Sequence, residues 1–144
     1  MNKIAIGSDH AGFEFKNLII KHLQSKGLTV LDKGPFNNES VDYPDFIHPV
    51  AQEVENNDTI KGIILCGSGN GAAITANKHK NIRCALVWKS ELAVLARQHN
   101  DANIISIPAR YITKEEALSI VDSFLTTDFE GGRHQNRINK ITCF

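Results

Sequence analysis

The sequence lacks an excess of charge of either sign, because 16 Lys and Arg residues balance 16 Asp and Glu residues over 144 positions. A neutral chain has no overall field that would attract nucleic acid or an anionic membrane, so any recognition by charge must be local. Long apolar runs are also absent, and none approaches the roughly 18 residues that span a bilayer. Residues 1–4 enter a strand pattern directly, without the apolar segment of a secretory signal peptide. We therefore expect a cytoplasmic protein that binds neither nucleic acid nor a membrane.

Cysteine is scarce, with only Cys66, Cys84 and Cys143 in the chain. Their odd number, their wide separation and the absence of a Cys-x-x-Cys pair argue against a disulfide framework and against a zinc site. The apolar share of 42% and the charged share of 22% are ordinary for a globular protein. A chain of this length can bury a substantial core, and we expect a single domain over residues 1–144.

Short apolar runs rich in β-branched residues alternate with amphipathic segments along the chain. Such runs are typical of buried parallel strands, and their alternation with helices predicts a three-layer α/β sandwich of the Rossmann or flavodoxin-like type. For five strands in series we expect the order 2-1-3-4-5 with right-handed crossovers. The predicted strands are Ile4–Ile6, Leu28–Leu31, Gly62–Cys66, Ala85–Trp88 and Ile104–Ile107.

Amphipathic segments between these strands predict helices that pack against the sheet. Their apolar residues recur at spacings of three and four, which places them on one helix face. Thr113 and Glu116 form a capping box that opens one helix, and Gly27 is expected to end another. A polar helical tail, Thr126–Phe144, closes the chain. The apolar stripes are Phe15/Leu18/Ile19/Leu23, Leu92/Leu95/Ala96/His99 and Ala117/Ile120/Val121/Phe124, and Tyr43–Asn56 is a further predicted helix.

Polar loops follow the first and third predicted strands, at Gly7–Gly12 and Cys66–Gly71. We expect the two loops to face each other, because the carboxyl ends of these strands border the ligand crevice in such a sheet. The second loop fits the dinucleotide fingerprint only in part: it follows the third strand, and no acidic residue closes the next strand at Val87–Lys89. Its glycines still let successive N–H groups point at a ligand beside a helix N-terminus. The loop therefore predicts a site for negative charge, either a phosphate or an enolate.

Cys66 stands at the mouth of this loop. A helix N-terminus favours the reactive thiolate, which could serve as a base or a nucleophile beside an oxyanion hole. The alternative is a small buried residue at a strand end, the usual role of a free cysteine. After the first strand, Asp9 and His10 are placed to touch a ligand, although Asp9 could instead cap the following helix.

Basic residues late in the chain form a second group of candidates. Arg133 and Arg137 are four residues apart and could grip one phosphate from a shared helix face, although a solvated polar helix has the same pattern. Arg110 follows the fifth strand, at the edge where the crevice opens. His99 and Asn100 end a helix that runs away from that edge, so a catalytic His99 would have to act on the site of another chain. The alternative for His99 is a structural role near a helix C-terminus, with its ring nitrogens hydrogen-bonded.

Five ordered blocks of the sequence resemble the ribose/galactose-6-phosphate isomerase family, and within it the type B ribose-5-phosphate isomerases. The blocks are IAIGSDHAGFEFK, DKG with DYPDF, LCGSGNGAAITANK, RQHNDANII and EGGRHQNRI. The resemblance covers nearly the whole chain. It implies the same α/β fold, a homodimer or tetramer whose active sites are shared between subunits, and a place in pentose phosphate metabolism. The implied reaction interconverts ribose 5-phosphate and ribulose 5-phosphate through an enediolate; no hydride or electron moves, so we expect no cofactor and no metal.

The resemblance also implies residue roles by position. Cys66 would be the base that moves a proton between carbons one and two of the open-chain sugar. Ser68, more often threonine in the family, would pass protons between the two oxygens, and His99 would help to open the furanose ring. The implied binding roles are enediolate stabilisation by the amides of Gly67, Gly69, Asn70 and Gly71, hydroxyl binding by Asp9 and Asn100, and phosphate binding by His10, Arg110, Arg133 and Arg137.

Some relatives in this family use a glutamate base a few residues past the glycine loop. Thr75 and Ala76 are not acidic here, so the chain resembles the cysteine type. Two other functions stay open, namely an isomerase of six-carbon sugar phosphates such as galactose or allose 6-phosphate, and a flavodoxin-like nucleotide-binding module. Which chain would supply Arg133 and Arg137 to each site also stays open.

Overall fold

The computed structural model describes residues 3–143. The predicted entry into the first strand at residues 1–2 and the end of the predicted tail at Phe144 lie outside the described residues. The strands are β1 (Lys3–Ser8), β2 (Thr29–Asp32), β3 (Lys61–Cys66), β4 (Cys84–Leu86) and β5 (Ile104–Pro108), and the helices are α1 (Phe13–Ser25), α2 (Pro44–Glu55), α3 (Asn70–Ala76), α4 (Ser90–Asn100), α5 (Lys114–Thr126) and α6 (Arg133–Asn139). Among residues 3–143, no helix has both the length and the apolar character needed to cross a membrane.

All strand pairings are parallel and join the strands into one sheet, in the order β2-β1-β3-β5-β4. The prediction of a parallel α/β sheet is confirmed, but the predicted order 2-1-3-4-5 is wrong at one end. All five residues of β5 are buried, and β5 pairs with β3 along its whole length. β4 has only three residues, each half-buried, and pairs only with β5. The longer and more apolar strand lies in the interior because burial on both faces removes more apolar surface from water.

Helices cover both faces of the sheet and form the three predicted layers. Successive side chains of β3 point to opposite faces. Ile63 and Leu65 lie in a core built with α1, α4 and α5, whereas Ile64 and Cys66 lie in a second core built with α2 and α3. Cys66 therefore ends its strand on the face that α2 and α3 cover.

Helix α4 differs from its predicted apolar stripe. Leu95 is exposed, and the buried residues of the helix are Ala93, Ala96 and Arg97. Burial of the Arg97 guanidinium is tolerated because it donates to the backbone oxygens of Ala102 and Thr127, at 2.8 and 3.0 Å, and to an Asp101 carboxylate oxygen at 2.8 Å. Charge-assisted hydrogen bonds of this kind offset the cost of removing a cation from water. Arg97 thereby anchors the segment after α5 to the end of α4.

Candidate active site

The loop that follows β3 has a backbone conformation that only glycine accepts easily. Gly69 has a φ of +77°, in the left-handed region, and a Cβ there would collide with the Leu86 side chain. The Gly69 carbonyl accepts a 2.7 Å hydrogen bond from the buried Ser106 hydroxyl. Ser68 Oγ accepts from the Asn70 N–H at 3.2 Å, so the Ser68 hydroxyl proton is free to be donated elsewhere. The loop is therefore fixed by its own backbone and by β5.

A cleft of about 340 Å³ opens at the carboxyl edge of the sheet, directly above this loop. Cys66 is only 5% exposed and packs into the core beneath α2 and α3, yet it lines this cleft. The thiol is thus enclosed by hydrocarbon on one side and open to a ligand on the other. We call this space the thiol cleft; it is lined by Asp9, Tyr43, Cys66, Gly67, Ser68, Gly71, Arg110 and Tyr111.

Asp9 enters the thiol cleft from the end of β1. Its backbone N–H donates to the Leu65 carbonyl at 3.2 Å, which ties the loop after β1 to β3. Its carboxylate oxygen Oδ1 accepts from the Gly12 N–H at 3.1 Å, just before α1 begins. Asp9 therefore both organises the turn and lines the cleft, so the two sequence interpretations are compatible.

His10 lies beside the thiol cleft rather than among the residues that line it. Its ring nitrogen Nδ1 accepts a 3.2 Å hydrogen bond from the Val41 N–H. A nitrogen that accepts cannot carry the proton, so the neutral ring holds its proton on Nε2. His10 can therefore offer Nε2 as a hydrogen-bond donor to a ligand.

The segment between β2 and α2 forms one side of the site, although sequence reasoning assigned it no role. Lys16 is fully buried and pairs with Asp32 at 2.8 Å, and Asp32 also accepts from the Gly34 N–H at 2.9 Å. The Gly34 carbonyl then accepts from the Ser8 N–H at 3.1 Å, which docks the segment onto β1. The segment ends at Tyr43, whose ring covers Gly71. The DYPDF block contained this tyrosine, and a Cβ at Gly71 would collide with its ring.

Arg110 brings positive charge to the glycine loop. Its backbone N–H donates to the Gly67 carbonyl at 3.0 Å, and a Cβ placed on Gly67 would lie 3.1 Å from a guanidinium nitrogen of Arg110. Arg110 and the loop residues Gly67, Ser68 and Gly71 thus line the same space as Cys66. Tyr111, which follows Arg110 and is largely exposed, also lines the cleft and was missed from the sequence.

The remaining predicted residues lie at the opposite, amino edge of the sheet. The Asn100 carbonyl accepts from the Arg83 side chain at 3.1 Å, and Arg83 directly precedes β4. Helix α6 packs against α4, and its Arg133 and Arg137 are both exposed. One chain therefore gathers His99, Asn100, Arg133 and Arg137 at the edge away from Cys66.

A compact group of three side chains, which we call the histidine cluster, lies at this amino edge. The rings of His99 and His134 stack with centroids 4.3 Å apart and planes 14° apart. Glu130 Oε1 lies 3.9 Å from His99 Nε2 and 3.5 Å from His134 Nε2. Sequence reasoning missed Glu130 and His134, although their spacing of four residues within the EGGRH block was a usable signal.

Comparisons with known proteins identify the family of the chain. Residues 4–141 match the model of the ribose/galactose isomerase family. A probable ribose-5-phosphate isomerase B of Mycoplasma pneumoniae is 46% identical over 142 residues, which cover 98% of this chain and 93% of that protein.

Solved structures extend the likeness to the whole fold. The ribose 5-phosphate isomerase of Thermotoga maritima superposes with a TM-score of 0.95 at 50% identity, covering 98% of this chain and 97% of that one. Ribose-5-phosphate isomerase B from Mycoplasma genitalium, solved with bound ribulose-5-phosphate, has a TM-score of 0.94 at 45% identity and covers 96% of this chain and 93% of that one. The chain therefore belongs to the ribose/galactose isomerase family and is an isomerase of the intramolecular oxidoreductase class.

Proposed function

We propose that this protein is a single sugar-phosphate isomerase domain over residues 1–144 that interconverts ribose 5-phosphate and ribulose 5-phosphate through an enediolate. The observation that carries the proposal is the thiol cleft, in which Cys66, residues of the glycine loop and Arg110 line one space. The ribulose-5-phosphate bound to the Mycoplasma genitalium relative supports the choice of substrate.

In this mechanism Cys66 removes the proton from carbon two of the open-chain aldose and returns it to carbon one. A positioned base contributes about 10²–10⁴-fold in rate. The intermediate carries negative charge on oxygen, and each preorganised donor aimed at it can lower the barrier by about 2.7–4 kcal/mol. We assign this role to the N–H groups of the loop Gly67 to Gly71, except that of Asn70, which donates to Ser68 Oγ. The hydrogen bond from Ser106 to the Gly69 carbonyl holds the loop before any ligand binds.

Ser68 is placed to move protons between the two sugar oxygens. Its Oγ accepts from the Asn70 N–H, which leaves its own proton for a ligand oxygen. Asp9, on the other side of the cleft, offers a carboxylate to the sugar hydroxyls. His10 Nε2–H and Arg110 would reach the phosphate, whose binding holds the sugar in register although it is remote from the bonds that change.

A second copy of the chain would complete each site. Among residues 3–143 no histidine lines the thiol cleft, and His99 lies at the amino edge of its own sheet. We propose a homodimer or larger assembly in which the partner contributes His99, Asn100, Arg133 and Arg137 together, since one chain already holds them side by side. Exposed apolar residues such as Ile74 and Trp88, next to the cleft-forming loops and β4, provide surface for such an assembly.

The direct test compares kcat/KM for ribose 5-phosphate with the values for galactose 6-phosphate and allose 6-phosphate. Discrimination by one added carbon is worth about 1–3 kcal/mol, so we expect ribose 5-phosphate to lead by at least about tenfold. A higher kcat/KM for a six-carbon substrate would change the proposed substrate but not the proposed type of reaction. No ketose from any aldose phosphate, with folded protein shown by circular dichroism, would overturn the proposed function.

A further inference from the structure

The histidine cluster has the composition and spacing of a transition-metal site. Two imidazoles and one carboxylate form the ligand set His₂Glu, which binds zinc in several enzymes with a water in the fourth position. Zinc–ligand bonds of about 2.0–2.2 Å place the ligand atoms of a tetrahedral site about 3.4 Å apart. Glu130 Oε1 and His134 Nε2 are already 3.5 Å apart, and Glu130 Oε1 and His99 Nε2 are 3.9 Å apart.

The backbone around the cluster brings Glu130 to the two rings. The Glu130 N–H donates to the Gln98 carbonyl at 3.1 Å, which fixes Glu130 beside the last turn of α4. Gly131 and Gly132 then reverse the chain with φ values of +70° and +57°. His134, the second residue of α6, therefore faces back toward Glu130. The cluster thus joins one side chain from α4, one from α6 and Glu130 from the segment before α6.

His134 holds a polar atom that the rest of the described chain does not use. The side chain is 6% exposed, and its Nε2 makes no hydrogen bond to any residue among 3–143. Burial, together with the positive charges of His99, Arg133 and Arg137, lowers the pKa of His134 despite the nearby Glu130 carboxylate. The buried Nε2 is therefore available to an ion held between His134 and Glu130.

We propose that His99, Glu130 and His134 bind Zn²⁺, and that occupancy of this site inhibits the isomerase by removing His99 from ring opening. The inhibitory part of the proposal rests on the proposed function, and the binding part does not. The His99 side chain is 40% exposed and can turn to bring Nε2 onto the ion. Arg133 and Arg137 oppose a dication, so we expect binding weaker than at a structural zinc site.

Binding is tested on the full chain with Cys66→Ala and Cys143→Ala, because a cleft thiol and an exposed thiol would otherwise compete for zinc. Zn²⁺ is titrated against a chromophoric chelator, and Co²⁺ is used to read the ligand types from its absorption spectrum. We expect one ion per chain, with no thiolate-to-cobalt band.

Two variants in that background locate the ion. Glu130→Gln removes a half-exposed ligand with little effect on folding, and His134→Asn removes the buried one. Loss of an outer-shell partner typically costs 10–100-fold in metal affinity, so loss of a ligand should weaken binding by at least about tenfold. The matched control is His79→Asn, which breaks the other close histidine pair, His48–His79, where the two ring nitrogens are 2.7 Å apart. Binding unchanged by Glu130→Gln, or lost only in His79→Asn, would overturn the site.

Inhibition is tested separately on the chain that retains Cys66. Zn²⁺ should lower the rate, a chelator should restore it, and Glu130→Gln should resist inhibition relative to its own metal-free rate. Zinc bound at the cluster without inhibition would overturn the regulatory part of the proposal. If the chain proves not to isomerise ribose 5-phosphate, the binding measurement still decides whether the metal site exists.

Discussion

The two edges of the sheet carry their functional groups in different ways. At the carboxyl edge, Asp9 and Cys66 are buried, and they are held by the ends of β1 and β3. At the amino edge, Arg133 and Arg137 are exposed on the short helix α6, which packs against α4. The segment before α6 is also hydrogen-bonded to α4, through the Thr127 carbonyl and the Glu130 N–H. Strand ends thus preorganise one half of the proposed site within a single chain. The other half lies on the surface, where it can complete the proposed site only when a second chain packs against it.

The two edges also use glycine differently. Gly69 and Gly131 both have left-handed φ values, +77° and +70°. A Cβ on Gly69 would strike Leu86, whereas a Cβ on Gly131 would have no atom within 4 Å. The position of Gly69 is constrained by packing as well as by backbone conformation, and the position of Gly131 by backbone conformation alone.

Replacing Cys66 with Ala should have the largest effect, because it removes the proposed base from the preorganised edge. We expect kcat to fall by about 10²–10⁴-fold, with sugar-phosphate binding retained. Steady-state kinetics and a binding titration measure the two quantities. Cys84→Ala is the matched control, since burial raises the pKa of the Cys84 thiol and keeps it protonated. Near-normal turnover by the Cys66 variant would remove the thiol from the mechanism.

Mixing inactive Cys66→Ala and His99→Ala chains tests whether the two edges meet across chains. A hybrid dimer holds one site with both residues intact, and random reassortment makes half of the dimers hybrids, so about a quarter of the wild-type rate should return. Hybrids are verified by native mass spectrometry. Verified hybrids that stay inactive would show that each site is built within one chain.

Arg137→Ala should act on phosphate binding at the amino edge. A hydrogen bond to a charged group is worth about 1.5–3 kcal/mol, so KM should rise by about ten- to a hundredfold while kcat changes little. Lys140→Ala, which removes an exposed cation just after the same helix, is the control for a general charge effect. An unchanged KM for Arg137→Ala would exclude this residue from the phosphate site.

Alanine at Gly69 and at Gly131 should separate the effect of packing from that of backbone strain on the free energy of unfolding. The left-handed conformation costs about 1–2 kcal/mol at either position. Gly69→Ala should lose about 1–3 kcal/mol more, because its methyl group overpacks against Leu86. Urea unfolding measures both values. Equal losses would mean that the loop after β3 relaxes and is less rigid than its contacts indicate.

Local patterns in the sequence predicted most of the elements. The alternation of apolar runs gave all five strands within a few residues, and the capping box of Thr113 and Glu116 is present at the start of α5. The positions of Asp9 and Cys66 at strand ends also followed, because a strand end is a local property. Contacts between residues distant in the sequence could not be predicted. The ring tautomer of His10 depends on Val41, and the ring that covers Gly71 belongs to Tyr43.

The sequence by itself determined the element types, the edge at which Cys66 lies and the family to which the chain belongs, because periodicity, turn chemistry and motif order are written along the chain. Only the tertiary structure decided that β5 lies between β3 and β4, that Arg97 is buried, and that Glu130 and His134 meet His99. These features depend on which surfaces exclude water from each other and on hydrogen bonds between distant segments, and neither is encoded in any short stretch of residues.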